Sequence, residues 1–170
     1  ATLERMLALL NTPPEQAAAA IERLQHEVRR LQRENSDLKV RLALGLSGGV
    51  STVQEGEEVG GIRLVARRVS GLDRAGLRAL ADSLRDRLRS GVVVLASEQD
   101  RKAAFVVAVT RDLTSRVQAG HLVRQLAPIV GGGGGGRADF AEAGGKDPSR
   151  IDALLQEARS LLERTLAARA

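Results

Sequence analysis

The chain has 170 residues, 43% of them hydrophobic and 28% charged, enough for one or two folded domains and too apolar for wholesale disorder. It contains no Cys, Trp or Tyr and only two His and two Phe, which excludes disulfides, thiolate metal sites and thiol nucleophiles and leaves little for stacking unpaired bases. A net charge of +5 and a sequence pI near 10.8 suit a polyanionic partner gripped through phosphates, while the dominance of Arg over Lys beside abundant Ala and Gly equally fits coding bias.

Leu3, Met6, Leu7 and Leu10 follow helical spacing from the first residues with no capping residue ahead of them, the pattern of a helix entered part-way. Thr12-Pro13-Pro14-Glu15 reads as a helix start, with Thr12 as cap and Glu15 completing a capping box. Beyond it Ile21, Leu24, Val28, Leu31, Asn35, Leu38 and Leu42 keep an a/d heptad register. One Asn at an a position favours a parallel, in-register dimer, because Asn facing Asn is satisfied and Asn facing Leu is not. The alternative is an intramolecular hairpin in which the preceding helix covers the same seam. Residues 1–46 therefore read as a helical, coiled-coil dimerisation segment. Residues 47–61, rich in Gly and Ser, read as a hinge, and residues 62–170 as a small globular domain.

Within that domain Ile62 to Val69 is strand-like, and Asp73 caps a helix ending near Gly91 whose outer face carries several arginines. Val92 to Ala96 and Ala103 to Val109 are central strands joined by a polar turn from Ser97 to Lys102. A helix follows to Val130, then six glycines, Gly131 to Gly136, and a last helix from about Pro148 to Ala168. The fold expected is mixed α/β: a long N-terminal helix, then a small mixed-sheet domain with a glycine-rich loop.

Consecutive glycines are most often linker, but this run lacks polar interleaving and lies between an apolar helix end and an alternating segment, which suits a packed loop. Its unshielded amides can cradle phosphate oxygens, with Arg137 adding a planar charged fork. It is neither a Walker loop, since no Lys-Ser/Thr follows, nor a dinucleotide fingerprint, since no strand runs into it. Arg101, Lys102, Arg111 and Arg124 are candidate phosphate contacts around it. His26 falls on the outer helix surface and His121 on a helix start. Two isolated imidazoles with dispersed carboxylates make no metal site and no catalytic set.

Arg111-Asp112-Leu113-Thr114-Ser115-Arg116-Val117-Gln118-Ala119-Gly120, then Ile129-Val130 and the glycines, Arg137, Asp139, Ala141 and Gly144-Gly145 resemble the C-terminal domain of bacterial alanyl-tRNA synthetases, a relative of the DHH-associated domain. The resemblance implies a non-catalytic module that dimerises and binds the outer corner of tRNA(Ala), so that the ligase's aminoacylation and editing domains share one tRNA. By the same resemblance the RNA contacts are Gly131, Gly132, Gly133, Gly134, Gly135, Gly136, Arg137, Asp139, Gly144 and Gly145. No cofactor is expected in this segment, with ATP, Mg and Zn confined to other domains of such a ligase. Two competitors are the substrate-binding half of a DHH-type phosphoesterase, where Arg137 stands in place of that branch's His, and a purely structural dimerisation module. The apolar runs are too short for a membrane span and no signal peptide is visible, so the expected location is cytoplasmic.

Overall fold

A computed structural model describes residues 2–43 and 56–168, and the chain divides into two compact units, Ala1–Asp37 and Leu38–Ala170. In the first, α1 (Thr2–Leu10) leads through left-handed Asn11 and a single 3-10 turn, Pro14–Gln16, into α2 (Ala17–Ala43), whose last turns belong to the second unit. The expected Thr12 cap is not formed. Pro13 takes the N-cap position without a side-chain bond, and the Thr12 amide instead bonds back to the Leu7 carbonyl, closing α1. Prolines at the entry remove amides that would have lacked partners anyway. The heptad residues Ile21, Leu24, Val28, Leu31, Leu38 and Leu42 are 44–63% exposed, and Asn35 is exposed with them. Arg30 bridges Glu27 and Glu34 along the helix surface, so Glu34 already has a partner on its own helix.

The second unit is a six-stranded sheet in the order β1-β2-β3-β4-β6-β5, built from β1 (Glu57–Val59), β2 (Ile62–Ser70), β3 (Gly91–Gln99), β4 (Lys102–Val109), β5 (Gly132–Gly136) and β6 (Phe140–Gly145). The sheet begins earlier than Ile62: Gly60 and Gly61, both at positive φ, turn β1 back onto β2, while the expected hinge residues 47–55 lie outside the described residues. Strands β2 and β3 are parallel and joined by α3 (Arg74–Arg87); every other pairing is antiparallel. Asp73 caps α3 as expected, its carboxylate accepting the Gly76 amide at 2.8 Å. The β3–β4 turn is tighter than the sequence suggested. Both strands extend to Asp100 and Arg101, which take left-handed φ of 50° and 59°, the conformation a two-residue hairpin needs.

Side-chain alternation on the central strands sorts the core onto two faces. Val93 and Leu95 of β3 and Val106 and Ala108 of β4 pack with Leu77, Leu80, Ala81 and Leu84 of α3. Val92, Val94, Phe105 and Val107 point the other way, toward α4 (Ala119–Leu126) and α5 (Ile151–Ala167). A 3-10 turn, Ala127–Val130, extends α4 toward the glycines, and another, Pro148–Arg150, precedes α5.

Candidate nucleic-acid interface

Five of the six glycines are an edge strand, not a loop. Gly131, at φ 66°, ends the turn after α4, and Gly132–Gly136 then pairs antiparallel with β6. Glycine is a poor strand former, so local preference does not explain this strand; close approach does. A Cβ on Gly132 would collide with the Gly144 carbonyl oxygen, one on Gly134 would fall 2.5 Å from Ala143 Cα, and one on Gly136 would fall 2.5 Å from Ala141 Cα. At Gly120 of α4, a Cβ would lie 2.7 Å from the Gly136 carbonyl oxygen. The amides of Ala119 and Gly120 donate to the carbonyls of Ala138 and Arg137, at 2.8 and 3.0 Å, so the start of α4 is stapled to the β5–β6 turn. The even-numbered glycines and Gly120 thus let the hairpin curl tightly against α4.

Gly133 and Gly135 are different. A Cβ at either meets nothing within 4 Å, and neither has a positive φ. They lie opposite Gly144 and Glu142 in the β5–β6 ladder, and directly opposed residues share a face of the sheet. That face is the α3 side, since Glu142 is bonded to Arg78 of α3. The sheet order sets β6 and β5 beyond β3 and β4, the strands beneath α3, so Gly133 and Gly135 form a bare shelf beside the helix, with Gly144 next to them under the Arg74 guanidinium. Arg74, Arg78, Asp82 and Arg85 stand along the helix at spacings of four, four and three, one stripe facing that shelf.

At the turn end of the hairpin a groove of about 560 Å³ is lined by Arg78, Arg85, Arg111, Arg137, Asp82 and Asp139 together with Glu142 and the Gly135–Gly136 backbone. Arg78 holds Glu142 with two hydrogen bonds of 2.6 Å, and that contact keeps the Glu142 carboxyl below its usual range against the opposing effect of partial burial. Arg85 pairs with Asp82 at 2.9 Å and Arg137 with Asp139 at 3.4 Å, leaving the Arg137 side chain 81% exposed. Arg111 reaches the groove with no ion pair among the described residues. Its neighbour Asp112 points to structure instead, accepting 2.6 Å from Ser90 Oγ, which with Thr110 lowers its pKa.

The sequence-derived set therefore divides. Arg111, Arg137, Asp139, Gly135 and Gly136 meet here; Gly131, Gly132, Gly144, Gly145 and Lys102 lie at the far end of the hairpin, and Arg101 sits exposed beside Lys102 in the β3–β4 turn. Arg124 is exposed on α4, on the opposite face of the sheet, and does not join the groove. Arg74, Arg78 and Arg85 give no individual signal in the sequence, where they read as a solvated helix face. His121 lies on the α4 side, bonded to Gln125 at 2.7 Å. Among the described residues no group of three or more His, Asp or Glu could hold a metal, and no helix is long and apolar enough to cross a membrane.

A family model for the DHHA1 domain matches residues 61–164, the sheet from β2 onward, the glycine strand included, and most of α5. The chain belongs to the DHHA1 domain family. This DHHA1 chain is 36% identical to the C-Ala domain of Aquifex aeolicus alanyl-tRNA synthetase, with a TM-score of 0.59 over 66% of the present chain and 98% of that one. It is 44% identical over 97% of its length to an alanine–tRNA ligase of Anaeromyxobacter dehalogenans, and 48% identical over 79% to that of Solibacter usitatus. It spans 18% and 15% of those two relatives, so the DHHA1 chain corresponds to less than a fifth of each ligase.

Proposed function

We propose that this chain is the non-catalytic, tRNA-binding and self-associating module of an alanine–tRNA ligase. The observation that carries the reading is the bare glycine shelf bordered by the arginine stripe of α3 and by Arg111 and Arg137. A surface without side chains admits a sugar–phosphate backbone to contact distance, and guanidinium forks beside it match phosphate geometry. With so few aromatics, recognition is by shape and backbone, and the outer corner of tRNA offers both. Similarity to the C-Ala domain and to the two ligases favours this reading over the phosphoesterase half. The partner is tRNA(Ala), the setting cytoplasmic, and ATP, Mg and Zn belong to other parts of the ligase.

Titration of the chain with a tRNA(Ala) transcript at a series of salt concentrations tests this. The affinity should fall with salt with a log–log slope of several units. Binding that is absent or insensitive to salt would overturn the RNA role. Arg137→Ala should weaken binding to different tRNAs to the same extent, since a phosphate contact carries no sequence information.

The exposed heptad stripe of α2 supports the second half of the proposal, pairing with another copy of the chain. Sedimentation equilibrium should give a dimer mass that Leu24→Asp with Leu31→Asp reduces to the monomer.

A further inference from the structure

Resting on the RNA-binding reading above, we propose that the opposite end of the glycine hairpin is a second phosphate seat, formed by Arg74, Lys102 and Lys146. A cavity of about 410 Å³ lies there, floored by the backbone of Gly131, Gly132, Gly144 and Gly145. Three cations reach it from three separate elements: Arg74 opens α3, Lys102 opens β4, and Lys146 follows β6. None of the three makes an ion pair among the described residues, and the one carboxylate in the lining, Asp100, pairs with none of them. Glu142 feels the charge of Arg74 but is held by Arg78, outside this cavity. Three positive charges against one negative, gathered over bare backbone, leave a site that an anion completes.

The placement of Arg74 is specific. Its Nη2 lies 2.9 Å from the point a Cβ on Gly144 would occupy, so the guanidinium lies against the glycine backbone of β6.

The two seats stand at opposite ends of five-residue β5, on the order of 13 Å apart at the rise of a strand. One RNA strand therefore lies lengthwise along the hairpin, one phosphate in the Arg111–Arg137 groove and another between Arg74, Lys102 and Lys146, with the shelf under the sugars between them.

The test compares salt slopes of tRNA(Ala) transcript binding for the full chain and three variants. Neutralising the new seat (Arg74→Gln, Lys102→Gln, Lys146→Gln) should lower the slope by about one unit, at about 0.7–0.9 for each phosphate no longer neutralised. A control removing the same charge elsewhere (Arg116→Gln, Arg124→Gln, Arg150→Gln) should leave the slope as in the parent chain. Lys102→Arg with Lys146→Arg should also keep it, which separates charge from any change in folding. If the seat variant and the distant control behave alike while the parent binds, the second seat is wrong and the RNA reading stands. If the parent itself shows no salt-dependent binding, both fall.

Discussion

A methyl group added at Gly134 would have to displace the backbone of Ala143, whereas one added at Gly135 would enter open space. Residues one position apart in a featureless run thus have unlike duties, and thermal melts should tell them apart. Gly134→Ala is expected to cost about 2–4 kcal/mol through forced separation of β5 from β6. Gly133→Ala and Gly135→Ala should stay within about 0.5 kcal/mol of the parent, or gain slightly by restricting the unfolded chain, while weakening tRNA binding by blocking the shelf. Two carboxylates make a second residue-level prediction. Asp112, bonded by Ser90 and Thr110, and Glu142, bonded by Arg78, both have depressed pKa values in the folded state. Their stabilisation is present in full above the ordinary carboxylate range near pH 4 and is lost as the pH falls through the lowered values. Denaturant midpoints measured from pH 7 down to pH 3 should drop, and Asp112→Asn with Glu142→Gln should flatten that drop.

At the scale of elements, α3 presents the arginine stripe, and its first turn is fixed by the Asp73 cap. Asp73→Ala should lower stability by about 1 kcal/mol and loosen Arg74, the residue next in chain. The cap, both central strands and the apolar faces of α3 and α5 were legible in the sequence because each rests on local chemistry or on periodicity. Strand β5 was not legible, because its pairing comes from close approach of β6 and α4 rather than from anything in six identical residues. The placement of Arg74, Arg78 and Arg85 beside the glycine strand was hidden for a related reason. An arginine on the outer face of a helix reads as solvated until the sheet order shows that β6 and β5 pass beside it. Thr12 misled in the other direction: its spacing suits a capping box, but the two prolines after it turn the chain before the helix begins.

For the whole molecule, the features proposed for association and for RNA contact are separate in the chain, the first along residues 21–42 and the second on the DHHA1 sheet. Changes with no shared partners combine additively. Leu24→Asp with Leu31→Asp should therefore change the sedimenting mass and leave the salt slope per bound chain untouched, while Arg111→Gln with Arg137→Gln should do the reverse. The glycine edge strand has one more consequence. An open sheet margin is ordinarily a template for aggregation, because an incoming chain gains both backbone pairing and interlocked side chains. Here the margin supplies only backbone, and its five glycines offer an invading strand nothing to interdigitate with. The arrangement that keeps the surface open to a nucleic-acid backbone also makes it a weak seed for fibril growth, so this edge can stay uncovered without recruiting strands from neighbouring molecules.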